Sequence, residues 1–372
     1  MSESGGLFDG VLAAGGVREQ VGDAAWLQAM LDFEAALALA GADAGIVPPE
    51  HAAAIAAQCH GDFYDVGEIG RSAVGIGNPA GSLVRALTAR VGGGAAGYVH
   101  LGATSQDVMD TAAMRVSHRA LAVLLADLAS CSDLLALLAE QHAETVQAGR
   151  SLLQQALPVT FGLTAAGWLS GVDTAIDRLT VIRENRLAIQ FGGAAGTLAS
   201  LGEQGLPVVA GLASRLRLAE PIVPWHTERS RIAELAGALG AACGAVAKIA
   251  GDIVLLAQTE VAEVSEEGPA GSGGSSTLPH KRNPVAAVAA AAAAAQSPGL
   301  VATLLGAAAH EHQRAAGAWH AEWRPLTELL RSTGSAVYWL RTSLERLRVD
   351  PDRMRVNLEL TGSLVLAERI TV

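Results

Sequence analysis

Apolar residues recur at three- and four-residue spacing over most of the chain, and prolines seldom interrupt these stretches. Trp26, Met30, Phe33, Leu37 and Ala40 share one helical face, which predicts an amphipathic helix over 23–41, capped by Asp23 and closed by Gly41. No proline or glycine intervenes between Asp110 and Ala148, where Leu121, Leu124, Leu125, Leu128 and Leu135 form a near-continuous stripe. The pattern returns from Thr227 to Glu267, with Gly237, Gly240, Gly244 and Gly251 leaving room for a neighbouring helix. At about 1.5 Å per residue each of these two helices would run roughly 60 Å, a length that suits a long bundle. Strand signals are weak, with Gly97–Leu101 and Pro207–Ala210 the two short candidates. The expected fold is therefore all-α, a central bundle of long helices. Glycine clusters at 92–94, 192–196 and 268–274 mark loops, and none has the context of a phosphate cradle. No repeat of the solenoid kind is visible.

Composition narrows the function classes. The 372 residues suggest two or three domains, and 26 basic against 37 acidic residues give a net charge of −11. That balance argues against nucleic acid or an anionic membrane as the main partner. Half the residues are apolar but only 4% aromatic, so the core must be built from Ala, Leu and Val. Cys59, Cys131 and Cys243 lie far apart, without disulfide or zinc spacing, which points to a reducing cytoplasm. The N-terminus lacks a signal-peptide pattern. The most apolar run, 285–295, is eleven residues against the roughly 20 that span a bilayer, and reads as a buried helix. Only two basic residues are lysines, Lys248 and Lys281, in a chain otherwise supplied with arginine.

One of those lysines lies in the most informative stretch, Gly271-Ser-Gly-Gly-Ser-Ser-Thr-Leu-Pro-His-Lys-Arg-Asn-Pro284. It places two hydroxyls, Ser275 and Ser276, a cation at Lys281 and an amide at Asn283 on a glycine-rich loop. Asn283-Pro284 reads as a helix start, N-cap then proline at the first helical position. A helix N-terminus beside Lys281 would favour an anion, or negative charge developing during a reaction. A plain solvent loop before a core helix is the bland alternative, and the density of functional groups weighs against it.

Gly274–Pro284 resembles the G-S-S-x-M-P-x-K-x-N-P loop of the fumarase/aspartase superfamily, with Leu278 in place of the methionine. His100-Leu-Gly-Ala-Thr-Ser-Gln-Asp-Val-Met-Asp-Thr111 resembles that family's H-x-G-x-T-S-x-D-x-x-D-T segment, and Gly149–Pro158 its G-R-T-H-x-Q-x-A-x-P segment. The three fall in the family's order. The resemblance implies homotetramers with active sites shared between subunits, and proton transfer alpha to a carboxylate with no metal or organic cofactor. It also implies an N-terminal helical domain over 1–103, the bundle over 104–347, and a C-terminal domain begun by 348–372 and apparently truncated here. Leu152 stands where the family commonly has an acid/base histidine. The branch of 3-carboxy-cis,cis-muconate cycloisomerases also lacks it. That branch resembles this chain further at Phe191–Thr197, Pro224–Arg229, Glu311–Arg314 and Trp319–Trp323.

Carried over by position, the resemblance makes Ser275 the proton-transfer group, with Lys281 and Asn283 holding a substrate carboxylate and its aci-form. Thr104 and Ser105 would donate to a second carboxylate. Ser276, His100, Arg229 and Arg314 complete the expected substrate contacts of a tricarboxylate. His226 is a weaker candidate, and the pair His310 and His312 does not make a metal site. Glu266-Glu267 reads as a solvated helix end. Two other readings stand beside the cycloisomerase: a fumarate-releasing lyase resembling adenylosuccinate lyase, which Leu152 disfavours, and a non-catalytic scaffold with the same bundle.

Overall fold

The computed structural model describes residues 6–269, 273–274, 277–278 and 280–366; Ser275 and Ser276 lie outside the described residues. Six helices precede the bundle: α1 (Asp9–Leu12), α2 (Val17–Gln20), α3 (Asp23–Asp43), α4 (Pro49–Ala56), α5 (Val66–Ser72) and α6 (Pro79–Val91). Long elements then run up and down. Helix α7 (Ser105–Gln141) leads away from the N-terminal helices, and α8 (Phe161–Asn185) returns after a hairpin of β1 (Val146–Ser151) and β2 (Gln154–Thr160). After α9 (Gly205–Leu216), α10 (Ser230–Leu256) leads away again. The pair α11 (Val285–Ala294) and α12 (Ser297–Gly306) returns, and α13 (Ala318–Arg346) makes the last pass. Strand β3 (Val264–Glu266) pairs antiparallel with β4 (Leu347–Val349), followed by α14 (Pro351–Leu358).

The all-α expectation holds for the architecture, and the boundaries shift for physical reasons. Helix α3 has Gly22 rather than Asp23 at its N-cap. It runs through Gly41, whose carbonyl accepts from the amides of Ile46 and Val47 as the chain folds back on it. Helix α7 starts earlier and stops at Gln141, and the stretch before Gly149 becomes strand β1. Neither short strand candidate is one: 93–98 is a 3-10 turn, and Pro207–Ala210 lies within α9. Helix α10 ends at Leu256, eleven residues short of the expected span, and the chain goes on into β3.

The core is aliphatic, as the composition requires. Leu121, Leu124, Leu128 and Leu135 of the predicted stripe are buried, and Leu125 is partly so. An uninterrupted apolar run is confined to 285–295, yet over whole elements α7, α10 and the α11–α12 pair are long and apolar enough by length and composition to cross a membrane. Here they pack side by side as the bundle. All three thiols are buried, and burial pushes Cys59 and Cys131 up to about 12, which removes them as nucleophiles.

The hairpin between α7 and α8 closes through a two-residue loop, Leu152-Leu153, with Ser151 paired to Gln154. Both leucines have positive φ, 52° and 64°, and both are exposed, Leu152 at 94%. Such a loop favours Asn-Gly, because a side chain on two left-handed residues is strained. Replacing Leu152-Leu153 by Asn-Gly should therefore raise stability by on the order of 1 kcal/mol, read as a higher denaturation midpoint in urea with unchanged helix content.

Candidate active site

The N-terminus of α7 supplies Thr104, Ser105, Asp107 and Asp110. Asp107 is fully buried and accepts four donors. Its Oδ2 takes the Thr104 amide at 3.0 Å and the Gly193 amide at 2.9 Å, and its Oδ1 takes the Gly192 amide at 3.1 Å. His226 Nε2 lies 2.6 Å from the same Oδ1. One carboxylate thus ties the helix start to the 192–193 turn and to the segment before α10. Gly193 has φ +70°, and a Cβ there would lie 2.7 Å from the Gly102 carbonyl oxygen, so only glycine lets the turn close.

One helical turn on, Asp110 accepts from Arg229 Nη1 at 2.8 Å, Arg229 Nη2 at 3.1 Å, Trp319 Nε1 at 3.0 Å and Gln106 Nε2 at 3.0 Å. Arg229 also donates to Glu322 on α13, from Nε at 3.0 Å and Nη2 at 2.5 Å. The buried His310 places Nε2 3.2 Å from Glu322 Oε1. Burial acts against the Arg229 charge, but Asp110 and Glu322 outweigh it and hold its pKa above that of a free arginine. Arg229 is only 3% exposed and has every donor nitrogen engaged. The expectation that it contacts substrate is therefore corrected: it cross-links α7, α10 and α13 and positions their ends.

Arg314 lies in the same cluster and is free of carboxylate partners among the described residues, donating instead to the carbonyls of Gln313 and Gly193. Burial lowers its pKa, opposed by Asp107 and Asp110. His100, with φ +62°, places Nδ1 2.6 Å from the buried Glu34 on α3. Burial pushes its pKa down, yet Glu34 and Asp107 push harder and the net shift is upward. Glu34 thus engages the nitrogen that faces it.

The loop residues are elsewhere. Gly273 and Gly274 are clasped against Arg282 and Asn283: Gly274 bridges Arg282, and the Gly273 carbonyl accepts from both the amide and Nδ2 of Asn283. Gly273 has φ +70°, and a Cβ would meet the Asn283 carbonyl oxygen at 2.6 Å. Asn283 closes the base of the loop, and Lys281 is exposed beyond it. The expected helix start is displaced. Helix α11 begins at Val285 with Pro284 in the N-cap position, and its first free amides, Ala286 and Ala287, are taken by Glu266 at 3.0 and 2.8 Å. The anion at that helix end is the protein's own carboxylate, further held by Ser343 at 2.6 Å. Glu266 is therefore a cap, not a solvated side chain; Glu267 pairs with Arg348.

Comparison with known proteins fits this arrangement. The Lyase family signature matches residues 13–299. The chain is 48% identical over 369 residues to a 3-carboxy-cis,cis-muconate cycloisomerase of Pseudomonas aeruginosa, covering 98% of this chain and 80% of that protein. The crystal structure of the 3-carboxy-cis,cis-muconate lactonizing enzyme from Pseudomonas putida superposes with a TM-score of 0.93 at 44% identity, covering 98% of this chain and 82% of that one. A nitrosuccinate lyase of Streptomyces davaonensis is 44% identical over 376 residues, covering 98% of this chain and 79% of that protein. This chain belongs to the Lyase family of the fumarase/aspartase superfamily.

In this lyase-family chain the expected site residues fall into two groups. The near end of the bundle brings together Thr104, Ser105, His100, Arg229 and Arg314. Lys281 and Asn283 lie at the far end, with the Leu152-Leu153 hairpin, whose Arg150 pairs with the buried Glu263 at 2.6 Å. Helix α7, of 37 residues and so about 55 Å, separates the two ends. Among residues without an assigned role in the sequence, Asp107, Asp110, Glu322 and His310 emerge as the frame of the near end. Asp107 was signalled by its place three residues after Thr104, the spacing of a capping box; Glu322 and His310 had no such signal. Among the described residues no group of three metal-ligating side chains converges.

Two measurements test the frame. Arg229→Met should cost about 3–5 kcal/mol of unfolding free energy by leaving two carboxylates buried without the guanidinium they share, seen in urea titration. Arg229→Lys should recover only part, since an ammonium cannot bridge both carboxylates. For His100, a raised folded pKa means its pairing with Glu34 stabilises fully below the unfolded value near 6.5 and fades as pH rises through the folded value. The stability lost in His100→Gln should therefore be larger about one unit below 6.5 than about two units above it.

Proposed function

We propose that this chain is a cofactor-free cycloisomerase interconverting 3-carboxy-cis,cis-muconate and 4-carboxymuconolactone, in the protocatechuate branch of the β-ketoadipate pathway. The observation that carries the reading is the likeness to cycloisomerases over 98% of the chain at 48% identity, in sequence and in fold alike. In the reaction one substrate carboxylate attacks an alkene carbon and forms the ring C–O bond. The displaced electron pair moves to the carbon alpha to a second carboxylate, and that carbon then takes a proton. The intermediate is a carbanion delocalised into the carboxylate, so the site must supply fixed cations and donors, and hold a flexible triacid in a near-attack shape.

In this reading Ser275 passes the proton, Lys281 and Asn283 steady the aci-carboxylate, and Ser276 lends a further donor. Thr104, Ser105 and Arg314 take the other carboxylates. Because α7 keeps these two sets at opposite ends of one subunit, the site is completed between copies in a homotetramer, in a cytoplasmic setting. The far-end loop of one copy meets the near-end cluster of another.

A fumarate-releasing lyase is the second reading, favoured by the 44% identity to nitrosuccinate lyase. Purified protein separates the two: loss of the diene ultraviolet absorbance of carboxymuconate supports the cycloisomerase, fumarate from a succinyl substrate or nitrosuccinate supports the lyase, and silence in both supports a scaffold. Ser275→Ala should nearly abolish turnover while leaving helix content unchanged; retained turnover would move the proton to another group.

The shared site has its own test. Thr104→Ala/Ser105→Ala and Lys281→Met variants, each inactive alone, should recover up to about a quarter of wild-type activity when unfolded and refolded together, since mixed tetramers then contain intact sites. No recovery from well-folded mixed tetramers would mean that each site is built from one chain.

A further inference from the structure

Glu34 has no part in the Asp110–Arg229–Glu322 frame, yet it reaches the near end of the bundle. It lies on the buried face of α3, 1% exposed, and its hydrogen-bond partner among the described residues is His100, with Oε1 2.6 Å from Nδ1. Its other oxygen, Oε2, is buried without a partner. A carboxylate taken out of water for one ring contact is costly, and an apolar side chain would fill the same helix face at less cost. His100 is costly as well, because its φ of +62° falls in the left-handed region that a side chain of this size seldom adopts. Two unfavourable features that meet in one contact point to a function for it.

The ring is held by one nitrogen and open at the other. The His100 side chain is 19% exposed, and Nε2 has no hydrogen-bond partner among the described residues and is not sealed from solvent. Its backbone belongs to the turn that leads into Thr104. The Gly102 carbonyl of that turn lies against Gly193, whose own carbonyl accepts from Arg314 Nη2. His100, Thr104 and Arg314 therefore sit on adjoining turns. The charged groups acting on the ring are Glu34 on α3 and Asp107 on α7. His226 is taken up by Asp107, Arg314 rests on carbonyl oxygens, and Glu34 makes the one ion pair to the ring among the described residues.

With Nδ1–H donated to Glu34, a neutral ring would turn the Nε2 lone pair outward and repel an anion, whereas an imidazolium turns an N–H outward. Burial favours the neutral ring; Glu34 and Asp107 act against it, and the net shift is upward. We propose that Glu34 is a positioning residue, which fixes the His100 ring through Nδ1 and keeps it an imidazolium, so that Nε2–H donates to a substrate carboxylate beside Arg314. His100 makes the contact, and Glu34 acts only through it. The proposal rests on the proposed function for its ligand class, a compound with several carboxylates, and does not depend on the reaction that follows.

The probe is propane-1,2,3-tricarboxylate, which has no alkene to react, titrated calorimetrically into the intact protein beside measurements of KM and kcat for 3-carboxy-cis,cis-muconate. Glu34→Gln keeps an acceptor for Nδ1–H and removes the charge. It should weaken the probe and raise KM by about ten-fold, the loss of one charge-assisted hydrogen bond, while kcat changes far less. As pH rises, affinity should be lost at a lower pH in Glu34→Gln than in the wild type, because Glu34 no longer opposes the effect of burial on the ring. In a His100→Gln background Glu34→Gln should have no further effect, since the ring it acts through is gone. If Glu34→Gln lacks the wild-type circular dichroism spectrum, Glu34→Asp, whose carboxylate is withdrawn from Nδ1 by one methylene, carries the test, and the same loss is expected. Unchanged affinity in a folded variant, additive losses in the double variant, or coincident pH profiles would each overturn the proposal. A wild type that binds the probe and shows these variant effects, but leaves carboxymuconate intact, would uphold the proposal and overturn the cycloisomerase reading. A wild type that neither binds the probe nor turns over carboxymuconate would overturn both.

Discussion

A single α-helix of 37 residues is stiff, about 55 Å long, and cannot be folded back without breaking its hydrogen-bond ladder. Everything chemical in this chain is arranged around that rod. Its N-terminus carries Thr104, Ser105, Asp107 and Asp110, and its C-terminus delivers the chain into the Leu152-Leu153 hairpin. Because the other bundle helices run parallel or antiparallel to it, each loop falls at one end or the other. The segments after α8, before α10 and before α13 gather at the near end; the hairpin, the clasped loop and the β3–β4 pair gather at the far end.

Each end is held by buried charge, and in different ways. At the near end Asp107 is satisfied by three backbone amides and His226, whereas Asp110, Arg229 and Glu322 form a triad across three helices. Desolvating such a triad gives little net stability, but it penalises any arrangement in which one partner is missing. Its contribution is therefore to fix the relative register of α7, α10 and α13, on which the placement of Thr104 and Arg314 depends. At the far end Glu263 is held by Arg150 and Asn357, and Glu266 by two helix amides and Ser343.

The helical bundle was legible because its stripes are long and its core residues repeat at helical spacing; the aliphatic faces of α3 and α7 could be read directly. The hairpin was not, since its turn carries two leucines where the chemistry of the turn asks for asparagine and glycine, and the preceding residues lack strand alternation. Gly41 misled for the converse reason: a glycine that usually ends a helix is here kept for a close backbone return. At the site, the loop and the start of α7 were visible as motifs, while partners were not. Nothing local in the sequence announces that Glu266 will cap α11, or that Arg229 will meet Asp110 and Glu322 from separations of 119 and 93 residues. Long-range pairing of charges is decided by topology, and a motif read on its own assigns such residues to the ligand by default.

Electrostatic balance gives a reason for joining the two ends. Among the described residues at the near end, Arg229 is neutralised by two carboxylates, and His100, His226 and His310 each face one. Arg314 is the guanidinium there that rests only on carbonyl oxygens, so its charge is available. At the far end Arg150 and Arg348 are paired with Glu263 and Glu267, and the exposed Lys281 has no carboxylate within ion-pair distance among the described residues. A substrate bearing several carboxylates needs more than one such cation close together, because a single exposed charge in water offers little. Within one chain Arg314 and Lys281 are held apart by the length of the bundle. The pairing of copies proposed above is the arrangement that would bring an Arg314 and a Lys281 to the same anion.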